Sequence, residues 1–224
     1  HDPNARTLQD LLTNWDGTLS VDSSGAVIYD ALCTELGELT VNTYYSSAKA
    51  VSANTAAEVR RILLDELRGN STLMLGKFDN WSDAVDAALI TCWSALTKEL
   101  GADPNSWRWE NIHKVIWRHN LGRDPEWEEI FNAGVVSVPG DGNTPFNTMI
   151  APGTFGTHGV TYRQIFDLGD LNAAEICIPP GNSGQPGSTH YRDNLDRWVG
   201  IEYHPLYVDW DDINAHSEYR LDLS

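Results

Sequence analysis

Hydrophobic positions follow two different rhythms along the chain, and the change falls near residue 134. Before it, apolar residues recur every three to four positions, which places them on one face of an α-helix. In residues 23–39, "SSGAVIYDALCTELGEL", Ile28, Leu32, Leu36 and Leu39 share such a face, and Ser23 or Ser24 can cap its start. In residues 55–69, "TAAEVRRILLDELRG", Val59, Ile62, Leu63 and Leu67 repeat the pattern, and Gly69 marks a C-terminal stop. The most regular stripe is Trp81, Val85, Leu89, Trp93, Leu96 and Leu100, with Asn80 or Ser82 as cap and Gly101 as terminator. Aromatic residues at this spacing predict a buried core rather than a ligand platform.

Beyond residue 134 the apolar runs shorten. "GVVSVPGDGNTPFNTMIAPG" (134–153) holds two brief runs separated by Pro-Gly-Asp-Gly, a turn signal. "GVTYRQIFDLGD" (159–170) alternates Tyr162, Gln164 and Phe166 against Arg163, Ile165 and Asp167, the period of a strand. "AAEICIPP" (173–180) and "VGIEYHPLYV" (199–208) predict further strands. Helices followed by strands predict an α+β fold. The expected organisation is a mainly helical segment at 1–133 and a strand-rich segment at 134–224, with a Gly/Pro loop at 179–194. No repeat or low-complexity linker divides them, so one structural unit is expected.

Composition narrows the function classes. The 224 residues are 41% hydrophobic and 21% charged, the balance of a folded domain with a sizeable core. Fifteen basic against 32 acidic residues leave a net charge of −17, with no basic stripe. Such a field repels phosphates and anionic lipid heads, so neither nucleic acid nor a membrane is an expected partner. No apolar run approaches the ~20 residues of a membrane span, and the polar opening "HDPNARTLQD" has no signal-peptide pattern. Cys33, Cys92 and Cys177 lie far apart; Cys92 and Cys177 are expected as buried small hydrophobes.

Candidate chemistry concentrates in residues 178–198, "IPPGNSGQPGSTHYRDNLDRW", which bring Ser183, Ser188, His190, Asp193 and Asp196 close in sequence. A serine on a nucleophile elbow requires Gly-x-Ser-x-Gly, and here Gln185 stands where the last glycine belongs. The prolines and glycines describe successive turns, which Ser188 and Asp193 can tie by bonding nearby backbone. Triad members usually come from distant segments, so a structural loop is the expected reading, with a stand-alone serine hydrolase using Ser183 and His190 as the competing one. None of the seven histidines has a H-x-x-x-H partner, and His113 and His119, six apart, fall on opposite faces of a regular helix. Asp209, Asp211 and Asp212 lack the glycine of a calcium loop; a solvated turn or a helix start capped by Asp211 is expected. "GNSGQPG" lacks the Lys-Ser/Thr of a phosphate loop. In "SWRWENIHKVIWRHNLG" (106–122), Trp107, Trp109 and Trp117 with Arg108 and Arg118 make either a cation–π surface or, the expected reading, an aromatic knot.

Taken together and in order, five segments resemble the penicillin acylase family of N-terminal-nucleophile hydrolases. "LLTNWDGTLSVDSSGAVIYDAL" (11–32) resembles its Leu-x-x-Trp-Asp-Gly stretch, and "WRWENIHKVIWRHNLG" (107–122) its W-x-W-G-x-x-H segment with His-Pro-Leu-Gly. "VPGDGNTPFNT" (138–148) is similar to its G-D-x-x-T-V-N-A stretch, and "HGVTYRQIFDLGD" (158–170) to its G-x-S-Y-R-x-V-x-D-L strand. The loop resembles the hallmark G-Q-S-G-x-P-x-S-P-H-Y-x-D-Q, carried here by Gly181, Ser183, Gly184, Pro186, Ser188, His190, Tyr191 and Asp193. "WVGIEYHPL" (198–206) follows it. Glu110 replaces a usual glycine, Asn120 and Thr189 replace prolines, Pro145 a valine and Asn194 a glutamine.

The resemblance implies a portion of the αββα core of that family, from the C-terminal part of the large subunit. In the family a precursor cleaves itself, and the new N-terminal residue, usually serine, is the nucleophile with its own α-amine as base. An α-amine with a pKa near ~8 suits that role around neutral pH. No matched segment contains the nucleophile, the oxyanion-hole asparagine or the calcium ligands of the family. The implied catalytic set in this chain is therefore none, the hallmark loop is structural, and the chain alone is expected to be inactive and without cofactor. The implied partners are the small subunit, the rest of the large subunit and a small acyl-amide substrate; the implied location is periplasmic or secreted. A non-catalytic binding module of the same ancestry is the alternative.

Overall fold

A computed structural model of the chain describes residues 2–44, 64–65, 68–69, 75, 77–149, 156 and 158–222. Helix α1 (Pro3–Thr13) opens it. Asp2, in extended backbone, accepts from the Asn4 and Ala5 N–H groups at 2.8 and 3.3 Å, and Pro3 fills the first turn where no N–H is needed. The polar opening conceals this helix, which is not among those predicted, because its buried face is as small as Ala5 and Leu8. Helix α2 (Ser24–Tyr44) is capped by Ser23, whose Oγ accepts from the Ala26 N–H at 3.1 Å. Helix α3 (Trp81–Leu100) begins at Asn80, whose side chain accepts from the Asp83 N–H at 3.0 Å. It ends at Gly101, where φ is 97°, in the region that favours glycine. The helix predicted at 55–69 lies outside the described residues except at 64, 65, 68 and 69, where the Gly69 N–H donates to Asp65 O at 2.8 Å.

The chain divides into two compact units where the absence of a linker led to the expectation of one: His1–Val115 with Val136–Gly159, and Ile116–Val135 with Val160–Ser224. Neither coincides with the helical and strand-rich segments. Local periodicity reports the element type, whereas compactness follows non-local pairing.

In the first unit α3 packs on α1 and α2. Their shared core holds Ala5, Leu8, Val27, Ile28, Leu89, Cys92 and Leu96, closed by Trp107 and by Trp109 of the short helix α4 (Trp109–Ile112). Trp107 is fully buried and its indole N–H donates to Gly101 O at 2.9 Å. Burying such a ring removes ~200 Å² from water, worth ~5 kcal/mol. Strands β1 (Lys114–Trp117) and β2 (Gly134–Ser137) form one two-stranded sheet. Strands β3 (Thr148–Met149) and β4 (His158–Gly159) form another, antiparallel with Thr148 opposite Gly159. The two runs flanking the Pro-Gly-Asp-Gly turn are thus β2 and β3, but each pairs with a different partner.

The second unit contains α5 (Glu128–Phe131), α6 (Leu195–Val199), α7 (Trp210–His216) and a three-stranded antiparallel sheet. Its order is β5 (Arg163–Asp167), β6 (Asp170–Cys177), β7 (His204–Pro205), with Gln164 opposite Ile176 and Ile176 opposite His204. The alternation expected over β5 does not become one-sided burial; Ile165 and Phe166 are 50% and 44% exposed. The strand expected over 199–208 shrinks to His204–Pro205. Helix α6 runs through Val199, and Ile201 then takes φ 58°, a bend incompatible with strand backbone. Among the described residues no helix is long and apolar enough to cross a membrane.

Candidate functional site

The loop that follows β6 is built by backbone closure. The Ser183 N–H donates to His190 O at 3.0 Å, and the Asn194 N–H donates to Pro180 O at 3.0 Å, so both arms of the loop are tied together. Gly181 sits at the crossing. A Cβ there would lie 2.2 Å from His190 O, 2.8 Å from Asp193 Oδ1 and 2.9 Å from the Tyr191 carbonyl carbon, so any side chain collides with backbone. Gly184 and Gly187 meet nothing within 4 Å and mark the open rim.

The loop's hydroxyls serve its turns. Ser183 Oγ accepts from the Gln185 N–H at 3.1 Å, and Ser188 Oγ accepts from the His190 N–H at 3.1 Å, capping a single 3-10 turn at Thr189–Tyr191. Tyr191 is buried and its hydroxyl donates to Phe131 O. Asn194, also buried, donates its amide to Ile178 O at 3.2 Å. The base of the loop rests on Trp198, fully buried, whose indole N–H donates to Val160 O at 2.7 Å and whose ring meets the Trp117 ring edge-on at 5.3 Å.

His190 meets a carboxylate at each ring nitrogen. Its Nδ1 lies 2.8 Å from Asp193 Oδ2 and its Nε2 lies 3.2 Å from Glu218 Oε2. Hydrogen bonds to Asp193 and then to Glu218 push its pKa above the ordinary histidine value. A general base needs a free ring nitrogen facing the nucleophile's O–H. Here both nitrogens face carboxylates, and the two serine oxygens accept from backbone amides. Asp196 is exposed in the first turn of α6 and is not among the partners of His190. Glu218 carries no sequence signal for this role, because it lies 28 residues away.

Other candidates resolve similarly. His113 follows α4 rather than lying on a helix with His119, because the chain turns into β1 at Lys114. It is buried, stacks on Trp109 at 4.5 Å, and its Nδ1 sits 2.9 Å from Val138 O. Desolvation holds its pKa below the ordinary value. Trp107 and Trp109 belong to the helical core, whereas Trp117 packs on Trp198. The acidic run starts α7 as expected, but its N-cap position is Asp209 and not Asp211. The Asn172 amide donates to Asp209 Oδ2 at 2.6 Å and to Asp212 Oδ2 at 3.3 Å. Among the described residues no group of three or more His, Cys, Asp or Glu side chains is placed to hold a metal ion. Cys92 and Cys177 are buried, and burial pushes the Cys92 thiol up to about 12.

A family model of penicillin amidase matches residues 2–215, across both units and through the whole loop. The chain belongs to the penicillin amidase family. Among curated relatives of this family member, the penicillin acylase 2 proenzyme of Pseudomonas sp. (strain SE83) is 27% identical over 225 residues, covering 95% of this chain and 28% of that protein. The acyl-homoserine lactone acylase QuiP of Pseudomonas putida is 27% identical over 232 residues, covering 95% of this chain and 27% of that protein. The chain therefore spans little more than a quarter of their length. The thermostable penicillin G acylase from Alcaligenes faecalis is similar at a TM-score of 0.49 and 17% identity, covering all of this chain and 43% of that one.

Proposed function

We propose that this chain is the C-terminal part of the large subunit of an acylase that hydrolyses acyl amides. The nucleophile, an N-terminal serine activated by its own α-amine, belongs to the remainder of that enzyme and forms an acyl-enzyme that water resolves. Penicillin-type side chains and acyl-homoserine lactones are the substrate classes, in keeping with the names of the relatives. The observation that carries the reading is the loop: its serines, His190 and Asp193 are all committed to holding it closed.

Two further facts support it. The chain covers 28% and 27% of two relatives, leaving most of each to supply catalytic groups. The second unit also leaves apolar side chains uncovered, with Leu168 91% and Trp210 75% exposed, a surface that favours burial against more polypeptide. Its partners are the small subunit and the rest of the large subunit; the structural calcium of the family lies with those parts. The location is periplasmic or secreted.

The test is turnover by the purified 224-residue chain of a phenylacetyl amide and an acyl-homoserine lactone, with fluorophosphonate labelling in parallel. No turnover and no label are expected. Robust turnover abolished by Ser183→Ala would overturn the proposal in favour of a stand-alone hydrolase. A dye-silent monomer would point instead to an independent module.

A further inference from the structure

Among the described residues, the chain beyond α7 meets the hallmark loop through Glu218. Glu218 Oε2 lies 3.2 Å from His190 Nε2, while the other ring nitrogen meets Asp193 Oδ2 at 2.8 Å. A carboxylate only accepts, so both contacts are hydrogen bonds only when both ring nitrogens carry protons. A neutral imidazole has one N–H to offer.

We propose that His190 is a proton-operated latch: as imidazolium it straps residues 217–222 onto the hallmark loop, and deprotonation releases them. Which contact survives is set by chain geometry. Asp193 is three residues away on the same turn, so little entropy is lost in keeping Nδ1–H on it. Glu218 is 28 residues away and its side chain is 65% exposed. Once Nε2 holds a lone pair, it faces the Glu218 carboxylate with no proton between them, and the strap leaves. Asp193 and Glu218 are the charged groups acting on this ring, and both favour its protonated form. The latch therefore opens at a pH above the ordinary histidine midpoint.

Helix α7 itself is anchored by contacts that do not involve His190. His216 Nδ1 sits 2.8 Å from Asp212 O and stacks on Tyr207 at 4.2 Å, and Asn172 grips the start of α7. Release is thus confined to the residues after α7.

The experiment is NMR on the labelled full chain between about pH 5.5 and 9, following the His190 ring carbons and the backbone heteronuclear NOE of residues 217–222. Expected is a His190 midpoint above the ordinary value, with the NOE of 217–222 falling from rigid to mobile values at that midpoint. Glu218→Ala, which leaves no group to meet Nε2 in either protonation state, should lower the midpoint and leave the segment mobile at every pH. Carboxypeptidase trimming gives a second readout, as the ratio of variant to wild-type rates, which should reach about two- to fivefold below the midpoint and approach one above it. An ordinary His190 midpoint, a segment whose order ignores the titration, or a ratio of one at all pH would overturn the latch.

Discussion

Replacing Gly181 by alanine tests whether the hallmark loop is a jammed structural element. The added Cβ would sit 2.2 Å from His190 O and 2.9 Å from the Tyr191 carbonyl carbon, both backbone atoms, with Asp193 Oδ1 at 2.8 Å. No rotamer change relieves a clash with backbone, so the two arms must separate. Overpacking of this kind costs ~1–3 kcal/mol. Separation also breaks the Ser183-to-His190 and Asn194-to-Pro180 backbone bonds, each worth ~0.5–1.5 kcal/mol. The expected loss is about 2–6 kcal/mol. Gly184→Ala is the matched control, since a Cβ there meets nothing and its effect should stay within ~1 kcal/mol of zero, on the stabilising side. Urea unfolding followed by far-UV circular dichroism reads both. With a slope of ~2 kcal/mol per molar urea, the Gly181→Ala midpoint should fall by roughly 1–3 M while the Gly184→Ala midpoint barely moves. Equal midpoints for the two variants would refute the account of the loop.

Stability should also depend on pH through His113. Its pKa is lowered in the fold by burial, so the unfolded chain binds a proton more readily; stability is full above the unfolded value near ~6.5 and is lost as pH falls toward the folded one. Urea midpoints between about pH 5 and 7.5 should decline toward acid, and His113→Phe should flatten that decline; an unchanged slope would sink the assignment. His190 acts with the opposite sign, its contribution being complete below its unfolded value and lost as pH rises through the raised folded one. Ile201, a β-branched residue at φ 58°, should reverse the usual ranking of small residues. Ile201→Gly is expected to be more stable than Ile201→Ala by ~1 kcal/mol, because both lose the same packing and glycine alone relieves the backbone. Thermal midpoints in the usual order would contradict that.

The residue pattern by itself determined a helix over 23–39 and another over 80–100, two cap candidates for each, from which the structure takes Ser23 and Asn80, and the α+β class. Those features depend on neighbours within one helical turn, which a linear sequence displays directly. The turns of the loop were legible for the same reason, since its serines bond amides two residues on. The helix at 3–13 stayed hidden, because its cap is strong but its buried face is small. Tertiary structure alone decided that β2 and β3 take different partners, that Trp107 and Trp109 join the helical core while Trp117 packs on Trp198, and that Glu218 reaches His190. Each of these depends on which distant segment wins a shared edge or a shared proton. That competition is settled by packing and desolvation across the fold, and no local spacing encodes it.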